Sequence, residues 1–139
     1  MESIEEIQNE IIEEFEDFSD WEEKYSYLIE QGSELKNLDE KYKIPENIVK
    51  GCQSQVWLIH KYNSDLKLME FEADSDSLIV KGLISILMRL YSNQKPSDIL
   101  NNELFVFEKI GLKGHLSPSR ANGLSSMIRY IKEYSSKYI

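Results

Sequence analysis

Gly51-Cys52-Gln53-Ser54-Gln55-Val56-Trp57-Leu58-Ile59-His60-Lys61-Tyr62-Asn63-Ser64-Asp65 is the stretch where the apolar pattern changes from helical to extended. From Gln55 to Tyr62 the residues alternate. Val56, Leu58 and His60 share one side, and Trp57, Ile59 and Lys61 the other, as in a half-buried strand. Asn63-Ser64-Asp65 is a hairpin turn signal, and Leu66 to Ala73 reads as the returning strand. Upstream, Ile48-Val49 reads as a short first strand, with Gly51 to Ser54 as the turn after it. The expectation is a three-stranded antiparallel meander. Cys52 would then lie at a hairpin tip, an exposed and mobile place.

The flanks are helical. Ile4, Ile7, Ile11, Phe15 and Phe18 recur at spacings of three and four, with Glu and Gln on the other face. Ser19 and Glu22 match a capping box, which starts a second helix near Asp20. Trp21, Tyr25, Leu28 and Ile29 form its inner face, and Gly32 is read as its stop. After the strands, Asp74-Ser75-Asp76-Ser77 offers N-caps for an apolar helix carrying Ile79, Leu83, Ile86, Leu87 and Leu90. Short helices follow from Pro96 and over Leu104 to Ile110, ended by Gly111. Ser117 caps a last helix with Pro118 at its first position, and Leu124, Met127, Ile128 and Ile131 face inward. The fold class is α+β, a small three-stranded sheet with helices packed on one face. Residues 1–139 read as a single domain, since they contain no repeat, low-complexity tract or linker.

Composition excludes several functions. The formal net charge of −9 disfavours nucleic acid, whose phosphates require clustered Lys and Arg. It equally disfavours an anionic membrane surface, and the apolar runs fall short of a membrane span. The acidic N-terminus lacks the features of a secretory signal. With a single cysteine, a reducing cytoplasm is the expected compartment.

That cysteine is the leading candidate for chemistry. A lone thiol closes no internal disulfide and builds no thiolate metal cage. It is either a small buried hydrophobe or a nucleophile, and its Gly51 and Gln53-Ser54-Gln55 flanks favour the nucleophile. A cysteine hydrolase would need His60 or His115 beside the thiol as base, and no local signature links them. One cysteine and two histidines match no zinc spacing, and Asp74 and Asp76 lack the rest of a calcium loop. Arg120 falls in the first turn of the last helix, where a cation opposes the helix dipole. Gly123 lies inside that helix at a cost of about 1 kcal/mol relative to alanine. Close packing against another backbone, such as the cysteine turn, would explain it.

Taken together, four segments resemble one family. Gly51-Cys52-Gln53-Ser54-Gln55-Val56-Trp57 is similar to the signature of SufE sulfur-acceptor proteins. Trp21-Glu22-Glu23-Lys24-Tyr25, Asp74-Ser75-Asp76 with Ile79-Val80-Lys81-Gly82-Leu83, and Leu116-Ser117-Pro118-Ser119-Arg120 with Gly123-Leu124 agree in order. The resemblance spans nearly the whole chain and is weakest over residues 91–113. It implies a fold shared with the IscU scaffold and a persulfide carrier that is not itself the desulfurase. Such a protein activates a cysteine desulfurase of the SufS type, takes its sulfur on Cys52, and passes it to a SufBCD-type iron–sulfur scaffold. A Csd-type desulfurase in another sulfur-transfer pathway is the alternative partner. Pyridoxal phosphate would belong to the desulfurase, and this chain would hold no cofactor or metal. By the same resemblance, Gly51, Gln53, Ser54, Asp74, Asp76 and Arg120 are candidates for loop position and partner interface, and a homodimer is open. An IscU-type scaffold role is disfavoured, since it needs several cysteines.

Overall fold

The computed structural model describes residues 2–139, with Lys113 described by its backbone alone. Helix α1 (Ile4–Glu16) starts at a capping box: Ser3 Oγ accepts from the Glu6 N–H, and the Glu6 carboxylate accepts from the Ser3 N–H. Its stripe of Ile4, Ile7, Ile11 and Phe15 is buried. Gln8 is buried with it, and its amide oxygen accepts from Phe105 N–H (2.7 Å) and Val106 N–H (3.1 Å). That one side chain fastens the irregular 103–105 segment and the start of the following helix to α1.

Helix α2 (Trp21–Ser33) begins one residue later than the expected box allows. Asp20, rather than Ser19, accepts from Glu23 N–H at 2.9 Å, and Glu23 reaches back to Ser19 N–H. A short carboxylate at Asp20 caps as well as serine does, so the register slips by one. Two further expectations for α2 are corrected. Ile29 is exposed, and Gly32 lies inside the helix rather than after it.

Gly32 is there because α2 crosses α3 (Leu78–Tyr91) at the backbone. A Cβ on Gly32 would stand 2.6 Å from Gly82 N, and one on Gly82 would stand 2.5 Å from the Leu28 carbonyl oxygen. In open space, Gly82→Ala would stabilise a helix by about 1 kcal/mol. Here the new methyl meets rigid backbone, so α2 and α3 must separate. The expected net result is a loss of about 2 kcal/mol, measured as a lower urea midpoint at unchanged slope. A midpoint at or above that of the parent chain would contradict the crossing.

Helix α3 is apolar on nearly every side and occupies the centre of the core. Ser77 caps it, accepting from Val80 N–H. It packs against α2, α1 and the sheet.

Among the described residues the sheet has two strands, β1 (Val56–Asn63) and β2 (Leu68–Ser75), antiparallel with Leu58 opposite Ala73 and His60 opposite Phe71. The expected third strand is absent from the ladder. Ile48 makes a single bridge to Trp57, and Val49 N–H donates to Val56 O at 2.9 Å. A 3₁₀ turn at Pro45–Asn47 precedes the pair, and Gly51 with φ +98° follows it, so the extended run is too short to continue. At the hairpin, the Asn63 side chain accepts from Asp65 and Leu66 N–H as the turn signal predicts. Strand β2 runs two residues past Ala73, so Asp74 and Ser75 belong to the sheet rather than to a break.

Short helices α4 (Pro96–Asn101) and α5 (Val106–Lys109) lead to α6 (Pro118–Ser136), which Ser117 caps. Leu124, Met127 and Ile131 of α6 are buried. The connecting stretch after α2 passes over the Trp57 and Asp74 end of the sheet. Lys43 Nζ lies 5.3 Å from the Trp57 ring, and Leu38 N–H donates to Asp74. No helix among the described residues is long and apolar enough to cross a membrane.

Candidate functional site

Cys52 lies on the loop between Val49 and Val56, facing the first turns of α6. The loop is held at its two ends. At the entry, Lys50 N–H donates to the Tyr130 hydroxyl of α6 at 3.1 Å. At the exit, Gln55 N–H donates to the Asp76 carboxylate at 3.1 Å, and Gln55 O accepts from Ser75 Oγ at 2.8 Å and from Asp76 N–H. Among the described residues, 51–54 make no backbone–backbone hydrogen bonds. The left-handed φ of Gly51 turns the chain over Ser126, whose Oγ would lie 2.5 Å from any Cβ at that position. Both the conformation and the space therefore require glycine.

The thiol is half-buried, not displayed at an exposed tip. It donates to the Gly123 carbonyl at 3.6 Å. A Cβ on Gly123 would sit 3.3 Å from Sγ, so the helical glycine accommodates the cysteine, as its cost inside α6 suggests. Beside the thiol is a cavity of about 210 Å³ with Val80, Leu83, Leu124 and Met127 in its wall. Burial pushes the Cys52 pKa above its ordinary value. At neutral pH this arrangement keeps the sulfur protonated, and a thiol is a far weaker nucleophile than a thiolate. The loop thus stores a protected sulfur. Outward movement into water, or the arrival of positive charge, would activate it.

The other sequence candidates divide. Gln53, Ser54 and Arg120 line the same cavity as Cys52. Arg120 is exposed at its mouth, and Ser117 Oγ caps its N–H. Asp76 is exposed and clamps the loop exit. Asp74 is 2% exposed and points away from the loop. It accepts from Ser75 N–H (2.8 Å) and Leu38 N–H (3.2 Å) and lies 3.4 Å from both Lys43 Nζ and Lys81 Nζ. Burial alone would raise its pKa. The two N–H groups and the two ammonium groups outweigh burial and hold it below the ordinary value.

Neither histidine lines the cavity at Cys52. The His115 ring packs on Trp21 with centroids 4.0 Å apart. His60 stacks on Tyr134 at 4.1 Å. A Cys–His hydrolase has no base here. Among the described residues, no group of three or more His, Cys, Asp or Glu side chains converges as metal ligands would.

Sequence reasoning missed Tyr130, Ser75 and Ser126. Each acts on the loop backbone from far along the chain, and such contacts leave no spacing pattern to read.

The fold has a close counterpart. The solution structure of a hypothetical protein from Thermus thermophilus superposes with a TM-score of 0.76 at 15% identity, covering 95% of both chains. That likeness concerns the fold alone. The SufE family model, described as the Fe-S metabolism associated domain, matches residues 9–135 and so takes in the Cys52 loop and both elements that hold it. The chain therefore belongs to the SufE family and is associated with iron–sulfur metabolism.

Proposed function

We propose that this protein accepts sulfur from a cysteine desulfurase and carries it as a persulfide on Cys52. The observation that carries this reading is the placement of the chain's one thiol on a loop tied by hydrogen bonds at Lys50 and Gln55 and held between them by the weak thiol contact to Gly123 and the packing of Gly51 over Ser126. Such a loop can shelter sulfur against α6 in one position and offer it to a partner in another. The chemistry requires a single cysteine. The Cys52 thiolate attacks the outer sulfur of the desulfurase persulfide, and the S–S bond of that persulfide breaks. A new S–S bond forms on Cys52, and the desulfurase cysteine leaves as a thiolate. Atoms and electrons balance without an added oxidant, and no general base is required once the thiolate exists.

Burial moves the resting thiol's pKa still further above neutrality, so activation falls to the partner. Docking of a desulfurase of the SufS type, or of the Csd type, would draw the loop out and lower the pKa. The pyridoxal phosphate that releases sulfur from cysteine would sit in that desulfurase. The sulfur would then pass to a SufBCD-type scaffold by the same exchange. Gln53, Ser54, Asp76 and Arg120, grouped around the loop, are the proposed partner-facing set.

Intact-mass spectrometry after incubation with a loaded desulfurase and cysteine tests the proposal. The expected result is a gain of one sulfur atom, removed by reductant and blocked by prior alkylation of Cys52. No gain, or a gain that survives alkylation, would overturn it.

A further inference from the structure

We propose that Tyr130 is a positioning residue for the thiol: its hydroxyl latches the Cys52 loop onto α6 and sets how far the sulfur is withdrawn. The inference rests on the reading of Cys52 as the reactive group. Two hydrogen bonds and one close packing contact tie residues 50–55 to α6. Gly51 closes over Ser126 by shape alone. The Cys52 thiol reaches the Gly123 carbonyl at 3.6 Å, and an S–H group is a weak donor. The third, Lys50 N–H to Tyr130 Oη at 3.1 Å, is the one hydrogen bond of ordinary strength. The remaining ties behave differently. Val49 N–H to Val56 O joins the two strand-like ends to each other. The Gln55 bonds run to Ser75 and Asp76 at the end of β2. Neither holds the loop against the helix. Breaking the Tyr130 contact would free the entry while the exit stays tethered, and Gly51, already at positive φ, lies next to the freed bond.

The latch has a firm base. The Tyr130 ring stands edge-on to Tyr134 at 6.2 Å, and Tyr134 stacks on His60 of β1. The Arg129 guanidinium lies 5.9 Å from the Tyr130 ring. These contacts involve the rings, so Tyr130→Phe deletes the hydroxyl and leaves the packing in place. The result is a more populated open loop, whose thiol is hydrated and titrates nearer to an ordinary cysteine.

The test is iodoacetamide labelling of the full chain alone, followed across pH, for the parent, Tyr130→Phe and Tyr134→Phe. Loss of a hydrogen bond of typical net strength predicts about a five-fold faster labelling of Tyr130→Phe. Its labelling midpoint should move to lower pH as the thiol leaves its buried site. Tyr134→Phe, which removes a hydroxyl from the same aromatic group without touching the loop, should match the parent in both. A parent-like rate for Tyr130→Phe, a faster rate at an unmoved midpoint, or an equal gain in Tyr134→Phe would each overturn the latch. No desulfurase is present in this assay, so its outcome is independent of whether Cys52 accepts sulfur. Conversely, a parent chain that gains no sulfur would remove the carrier role and leave the labelling result standing.

Discussion

A Cys52→Ser chain is expected to gain no sulfur from a loaded desulfurase and to return desulfurase turnover to its unstimulated level, while its stability stays within about 1 kcal/mol of the parent. The chain has one cysteine, so the variant has no other thiol that could report a false gain. Serine fills slightly less space, and its hydroxyl can donate to the Gly123 carbonyl as the thiol does. The loop should therefore keep its closed position. What is lost is the nucleophile: a serine hydroxyl without a base has no useful anionic fraction at neutral pH. Docking and chemistry separate in this variant. If the desulfurase recognises the surface around Gln53, Asp76 and Arg120, its affinity for the variant should change by less than about three-fold, read by titration calorimetry. A variant that still gains sulfur would remove Cys52 from the mechanism. A variant that neither gains sulfur nor binds would make the thiol itself part of the interface.

Much of the fold was legible because hydrophobic period and capping chemistry are local. The α1 stripe, the Asn63 turn, the apolar α3 and the Ser117–Pro118 start of α6 all follow from neighbours within a turn or two. The errors came where one local pattern has two uses. Ile48-Val49 is a β-branched pair that reads as a strand, yet a proline-led turn before it and a left-handed glycine after it limit it to one bridge. Gly32 resembles a helix stop, and only the position of Gly82 on another helix reveals it as a crossing point.

The site was legible to a different degree. Cys52 stood out because it is alone, and Gly123 because a helix interior rarely holds a glycine without cause. The residues that shelter the half-buried thiol could not be named from the sequence, since the wall that covers it comes from Val80, Leu83, Leu124 and Met127 on two separate helices. Asp74 and Asp76 look equivalent in sequence, and in a continuous strand residues two apart would share a face. The strand ends between them: Asp74 is buried within β2 and accepts from Leu38 N–H, while Asp76, just past the end of β2, reaches the loop.

That division gives Asp74→Ala an expected cost of about 3 kcal/mol, with Asp76→Ala far milder. The Asp74 carboxylate satisfies two backbone N–H groups and faces two lysines. Removing it leaves the Leu38 and Ser75 donors unpaired in a place that water reaches poorly, at about 1–3 kcal/mol each. Lys43 and Lys81 are partly exposed and can turn to solvent, which keeps the total below the worst cases of a broken buried pair. The pH dependence has a definite sign. The folded pKa of Asp74 lies below its ordinary value of 3.8. Its contribution is therefore complete above that value, shrinks as pH falls below it, and is gone once pH passes the folded pKa. Asp74→Asn should accordingly lower stability at pH 7 and remove part of the parent's decline as pH falls below about 4, measured by urea unfolding at each pH. Parallel curves for parent and variant would show that the carboxylate charge contributes nothing. Functional loss should separate the two aspartates as well. Desulfurase stimulation lost in Asp74→Ala should return on cooling to a temperature where the variant is folded, because the residue acts through the fold. In Asp76→Ala the change should persist at every temperature, because the loop exit itself is released. If Asp74→Ala stays defective when fully folded, the buried carboxylate has a role at the interface that its position in the sheet does not explain.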